Sequence, residues 1–227
     1  MRRKIRKLRD DFSRLQVAIR LCQKCVLHKS NRLRDVGDGP VPADLMLVGE
    51  AFGEQEARVG KPFVGPAGQL LRRMLERCGV GDLRIFYTNT VACFPPPMDK
   101  QRRSSKPSVE SVSLCKDWLR HKVYLVSPKV VVTVGNLATS VVLSRYLDTQ
   151  QCSMSALCGR EFELQVRCAI DESPRTLYVI PCYHTSFLLR NKSLVYRKAA
   201  QEALAKAVDL VRRIGSYGDC ESWDSHT

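Results

Sequence analysis

Residues 45–68 read LMLVGEAFGEQEARVGKPFVGPAG. The run Leu45 to Val48 has the continuous apolar character of a strand buried on both faces. It ends in Gly49-Glu50, so the loop that follows sits at the carboxyl edge of a sheet, where open α/β folds hold their ligands. Gly49, Gly53, Gly60, Gly65 and Gly68 let that loop turn tightly and approach a ligand. Phe63 offers a flat apolar wall inside it. An amphipathic helix begins next, with Leu70, Leu71, Met74, Leu75 and Cys78 on one face and Gly79 as its stop. By composition alone the stretch is a glycine-rich connection between strand and helix.

Further strands follow outward from it. Arg84 to Ala92 (RIFYTNTVA) is β-branched and aromatic, and Lys129 to Gly135 (KVVVTVG) reads as a fully buried parallel strand. Gly159 to Cys168 and Thr176 to Pro181 alternate around the polar turn Asp171-Glu172-Ser173-Pro174. Helices are expected from Ser108 onward, over Asn136 to Leu143 and over Ser193 to Ile214. At the start of the chain, Ile5, Leu8, Phe12, Leu15, Ala18 and Ile19 recur at helical spacing. The pattern predicts an α/β fold, three-layer α/β/α, around a central, mainly parallel four-stranded sheet. One domain is expected over residues 1–214, with 215–227 a disordered polar tail.

The chain has 227 residues and a formal charge of +14, from 37 Lys+Arg against 23 Asp+Glu. Such a surface seeks polyanions, nucleic acid first. No apolar run approaches the roughly 20 residues that span a bilayer, and the basic N-terminus lacks the core of a signal peptide. No membrane partner and an intracellular location (cytoplasmic and nucleoid-associated in a bacterium) are therefore expected, with the chain acting as a monomer. The basic face of the first helix is either a phosphate contact or a solvated face.

Ten cysteines in a reducing compartment argue for thiols and metal ligands. Cys22-Gln23-Lys24-Cys25 is a C-x2-C pair that can grip a metal or one edge of a cluster, and Cys93 and Cys115 supply a second pair. The cysteines themselves leave zinc and an iron–sulfur cluster both open. Cys152, Cys158, Cys168 and Cys182 match no common ligand spacing and read as unligated thiols. Asn89 near a strand end and His184 at the exit of another are either satisfied core residues or parts of a site.

The full spelling of residues 49–68 resembles the first motif of the iron–sulfur, family-four uracil-DNA glycosylases, G-E-x-P-G followed by G-x-P-F-V-G-x-A-G. His184-Thr185-Ser186-Phe187-Leu188-Leu189-Arg190 is similar to that family's second motif, H-P-S/A-x-x-L-R, and the four cysteines fall in the family order. The resemblance covers roughly residues 20–210. It implies a [4Fe–4S] cluster on Cys22, Cys25, Cys93 and Cys115, structural in role. It implies uracil-containing DNA as partner and a monofunctional DNA-repair glycosylase that flips uracil from the duplex and leaves an abasic site. Glu50 would orient the attacking water and His184 would stabilise the departing uracil anion. Gly49, Ala51, Phe63 and Asn89 would bind the base, Phe63 by stacking and Asn89 by reading its N3–H and O4. Arg102, Arg103 and Arg190 would contact phosphates, and Leu188 or Leu189 would wedge into the minor groove unless both belong to the core.

Three departures from the family pattern stand out. Phe52 and Thr185 occupy positions where a proline would fix φ. The loop between Cys93 and Cys115 is long and contains R-R-x-x-K-P-S, similar to a related subgroup that captures uracil covalently through a histidine. Ser104 and Ser105 stand in that region here, so covalent capture is not carried over. The competing reading is a non-catalytic iron–sulfur protein that recognises uracil-containing DNA.

Overall fold

Why the sheet forms is clear from its strands. In a computed structural model, which describes residues 2–30, 32–97, 106–144, 153–215 and 217, five apolar stretches pair into one sheet. They are β1 (Leu45–Ala51), β2 (Ile85–Val91), β3 (Val130–Val134), β4 (Phe162–Arg167) and β5 (Pro174–Cys182), in the order β2-β1-β3-β5-β4. The first four in that order run parallel, and β4 is antiparallel to β5. The sheet therefore has five strands, not four. The extra one is the hairpin partner of β5, closed by a turn in which Asp171 Oδ1 accepts from Ser173 N at 3.1 Å and from Ser173 Oγ at 2.6 Å.

Alternate residues feed two cores. Met46, Val48, Phe86, Val131 and Val179 face one, with Leu8, Phe12, Leu15 and Ile19 of α1 (Arg2–Arg20) and Leu119 and Val126 of α4 (Val109–Val126). Leu45, Leu47, Val130, Val132 and Ile180 face the other, with Leu71 and Leu75 of α3 (Pro66–Glu76) and Ala200, Leu204 and Val208 of α8 (Leu194–Ile214). This is the expected three-layer arrangement. Ala18 is the exception on α1, where it is exposed.

Local chemistry starts the helices where they are needed. Pro66 opens α3 behind the N-cap Gly65, at a position whose N–H has no helical partner. Ser108 caps α4 by accepting from Ser111 N at 3.1 Å. The buried side of α4 is Ser111, Cys115, Leu119, Lys122 and Val126, so a lysine sits in an otherwise conventional stripe. Shorter helices are α2 (Glu54–Val59), α5 (Asn136–Val142), α6 (Met154–Leu157) and α7 (Thr185–Arg190).

The chain leaves β1 toward β2 on one side and reaches β3 on the other, so the sheet reverses its winding beside β1. The carboxyl ends of β1, β2, β3 and β5 all emerge at that edge, where α/β folds bind ligands. Beyond α8, Tyr217 packs back: its hydroxyl donates to Ser127 O at 3.0 Å, and Lys129 Nζ lies 4.5 Å from its ring centroid. The rest of the expected tail, residues 216 and 218–227, lies outside the described residues. Among the described residues no helix is long and apolar enough to cross a membrane.

Candidate active site

A cleft of about 1100 Å³ opens at that edge, and Glu50, Phe63, Asn89 and His184 all line it. Glu50 comes from the end of β1, Phe63 from the loop before α3, Asn89 from β2, and His184 from the exit of β5. Ala51 lines the cleft as well. Gly49 lies beneath: a Cβ there would stand 2.3 Å from Asn89 Oδ1 and 2.9 Å from Phe63 Cζ. The bare backbone at 49 is thus what lets the amide and the ring converge.

Phe63 is held rather than hung. Its φ of 56° is left-handed, and a Cβ at Gly68 would meet its backbone at 2.2 Å, so the loop turn requires glycine there. Arg72 donates to the carbonyls of Phe63 and Pro62 at 3.1 and 3.2 Å and lies 4.1 Å from the Tyr87 ring centroid. Glu56 Oε1 accepts from Gly65 N at 2.7 Å and closes the same loop.

Asn89 is anchored by residues that no motif announces. Its Nδ2 donates to Asp35 Oδ2 at 3.1 Å, and its backbone N–H donates to the same oxygen. Lys122 Nζ stands 3.8 Å from Asp35 Oδ1, both side chains being buried. Burial pulls the Lys122 ammonium pKa down, and the Asp35 carboxylate opposes that pull.

His184 caps α7. Its Nδ1 accepts from Ser186 N at 3.1 Å and lies 2.7 Å from Ser186 Oγ. A backbone donor on Nδ1 assigns the ring proton to Nε2, which leaves Nε2–H as a donor. Burial, aided by the charge of Arg190, lowers the His184 pKa to about 4. The imidazole is therefore neutral at physiological pH. Gly135 (φ +95) gives it room, since a Cβ there would stand 2.9 Å from the ring. Glu50 is raised by burial, partly offset by Lys106 on the same cleft. Tyr183, Phe187 and Tyr196 also line the cleft as one aromatic cluster, with ring centroids 5.1–5.7 Å apart.

The residues expected at DNA divide. Arg190 is exposed and lines the cleft. Leu188 is 0% exposed and belongs to the core, so the wedge expected there is corrected: only Leu189, 41% exposed, faces outward. Arg102 and Arg103 lie outside the described residues, as do Ser104, Ser105 and Cys152. The two residues at family proline positions are both buried. Phe52 packs with Ala57 and Phe94, and the Thr185 hydroxyl has no hydrogen-bond partner.

Cys22, Cys25, Cys93 and Cys115 line one small cavity, with Trp118 and His28 beside them, and all four are free thiols. Burial pushes the Cys93 thiol up to about 11 and raises Cys115. Among the described residues no three Cys, His, Asp or Glu side chains are arranged to hold a single metal ion. Four sulfurs thus line one cavity, a soft donor set of the kind that suits zinc or an iron–sulfur cluster. Elsewhere Cys158 and Cys182 donate to the Ala199 and Ala200 carbonyls, each at 3.7 Å, and Cys168 Sγ lies 3.8 Å from Ser127 Oγ.

Sequence reading found the four cleft residues because each ends a strand or belongs to a motif. It missed Asp35, Lys122, Glu56 and Gly135. Lys122 carried a signal, since it falls at the 115, 119, 122, 126 spacing of the α4 stripe.

Known proteins resemble this chain over most of its length. The model of the uracil DNA glycosylase superfamily matches residues 36–209. The chain is 29% identical over 223 residues to a type-4 uracil-DNA glycosylase of Sulfurisphaera tokodaii, covering 95% of this chain and 94% of that protein. It is 29% identical over 197 residues to one from Thermotoga maritima, covering 87% and 93%. To one from Archaeoglobus fulgidus it is 31% identical over 185 residues, covering 82% and 85%. The chain belongs to the uracil DNA glycosylase superfamily, among its type-4 members.

Proposed function

We propose that this protein hydrolyses the N-glycosidic bond of uracil in DNA, leaving an abasic site for base-excision repair. The observation that carries the reading is convergence: an acid, an aromatic ring, an amide and an imidazole from four separate segments line one cleft. One copy supplies the whole set, which supports action as a monomer.

The bond to be broken is shielded in the stack, so the nucleotide must first flip out at a cost of about a few kcal/mol. Phe63 then stacks on the base and Asn89 reads its N3–H and O4. As the bond lengthens, negative charge gathers on O2 and positive charge on the sugar. The neutral His184 donates its Nε2–H toward O2. An oriented donor at a site of developing charge is worth about 10²–10³ in rate. Glu50, ionised above its raised pKa, orients a water toward C1′ and supports the positive sugar. Arg190 on the cleft and the exposed Leu189 next to it in sequence contact the strand around the vacated position.

A [4Fe–4S] cluster on Cys22, Cys25, Cys93 and Cys115 completes the proposal. Its chemistry here is structural, tying the segment after α1 to the exit of β2 and to α4. A brown preparation absorbing near ~400 nm supports the cluster over zinc.

The test uses cluster-loaded protein on single- and double-stranded DNA containing uracil. Strands should break at uracil after alkali and stay intact without it; no breakage after alkali counts against the reading. Glu50→Gln and His184→Asn should abolish turnover and spare DNA affinity, whereas a non-catalytic reader has no turnover to lose.

A further inference from the structure

Asp35 and Lys122 form a buried charged pair that the chemistry above does not use: Asp35 is 0% exposed and Lys122 1%. A pair of this kind costs desolvation that apolar residues would not, so it calls for a reason. Its contacts converge on Asn89. Asp35 Oδ2 accepts from Asn89 Nδ2 at 3.1 Å, from the Asn89 backbone N–H, and from Thr88 Oγ1 at 3.0 Å. Lys122 Nζ donates to Thr88 Oγ1 at 2.7 Å and to Asp35 O at 2.9 Å. Asp35 Oδ1 in turn accepts from Gly37 N at 2.7 Å, which fixes the carboxylate plane.

We propose, resting on the reading that this cleft holds uracil, that the Asp35–Lys122 pair locks the Asn89 carboxamide in one of its two orientations and so selects uracil over cytosine. A carboxylate can only accept. It therefore pins the Nδ2 side of the amide and repels the oxygen side, so the flipped amide would set Oδ1 against Asp35. With the amide pinned, Oδ1 lies over Gly49 beside the Phe63 ring. The second Nδ2 hydrogen stands next to it. Uracil presents an acceptor at O4 and a donor at N3, which match. Cytosine presents a donor at N4 and an acceptor at N3, which clash at both positions. Lys122 balances the charge of Asp35 and grips Thr88, which holds the carboxylate at the foot of the amide. Asp35 and Lys122 are positioning residues; neither lines the cleft.

Asp35→Asn with Lys122→Gln removes both charges together, leaving neither buried alone. An amide at position 35 can donate or accept, so Asn89 becomes free to turn. Excision of uracil and of cytosine from otherwise identical strands is then compared as kcat/KM, with the melting temperature followed alongside. The uracil-to-cytosine ratio should fall about ten- to hundredfold, the size of one good two-point contact with a base edge. A purely structural role lowers both rates and keeps the ratio, and that result overturns the proposal. If the double variant does not fold, hydrogen exchange of the Asn89 side chain in the unmodified protein decides. The Nδ2 proton on Asp35 should exchange more slowly than its twin, and equal rates overturn the lock. Unmodified protein that excises no uracil refutes the uracil reading instead, and the exchange measurement still reports on the lock.

Discussion

Gly49 is the tightest point of the cleft. A methyl group there would press on Asn89 Oδ1 at 2.3 Å and on Phe63 Cζ at 2.9 Å, so amide, ring or both must shift. Misplacing a positioned group by about 1 Å costs on the order of 10²-fold. Gly49→Ala should lower kcat/KM for uracil excision by that order in a protein that still folds; unchanged kinetics would mean that the base does not sit between those groups. His184 makes a second prediction, on stability. Its unfolded imidazole takes a proton near 6.5 and its folded one only near 4. Between these values the unfolded chain binds more protons, so stability is full above about 6.5 and declines as pH falls toward about 4. Melting temperature measured across that window should fall less steeply for His184→Gln than for the unmodified protein. Parallel curves would show that the imidazole is not held neutral.

At the scale of elements, α7 illustrates how a departure from the family spelling acts. Thr185 occupies the first turn of α7, directly after the cap His184, whose φ and ψ of −67° and 126° are extended. Proline suits that place: the preceding residue is already extended, and the N–H it removes has no helical partner. The threonine hydroxyl is buried without a partner, a further cost. Thr185→Pro should therefore raise stability by about 0.4–1 kcal/mol in urea unfolding; a loss would mean that the ring meets the surrounding core. The same scale explains what the sequence made legible. β3, with its unbroken VVVTV, and α8, with its long apolar stripe, carry their own periodicity. Whether β4 joins the sheet depends on pairing with β5, which no single segment encodes, and so the strand count came out short. Glu50, Phe63, Asn89 and His184 were readable because strand exits and motifs mark them. Asp35 was not: it lies in a stretch without helix or strand, and its partner Asn89 is 54 residues away. Leu188 and Leu189 are neighbours of one type, and only the turn of α7 decides which one is core.

At the scale of the whole molecule, two kinds of attachment hold the N-terminal region, and they should separate experimentally. α1 rests on the core through Ile5, Leu8, Phe12, Leu15 and Ile19, all buried. Each such side chain contributes roughly 1.5–3 kcal/mol. The turn after it has no such support: the short 3₁₀ helix Val26–Ser30 buries nothing, and Cys22 and Cys25 are half-exposed. What ties that turn down is a handful of polar and ring contacts. Trp118 Nε1 donates to Cys22 Sγ at 3.4 Å, and Lys24 Nζ lies 4.5 Å from the Trp118 centroid. The four thiols line one cavity, which the proposed cluster would bridge. Metal-bound thiolates fold with their metal, so removing the proposed cluster releases the segments that have little else to hold them. Chelation, or Cys115→Ser, should raise hydrogen exchange across residues 21–34 while α1 and the strands keep their protection, with loss of absorbance near ~400 nm marking the cluster. If α1 and the sheet exchange together with that turn, the cluster supports the whole fold and the apolar face of α1 does not suffice. If the turn keeps its protection, the thiols do not carry it, and the structural role proposed for the cluster is wrong.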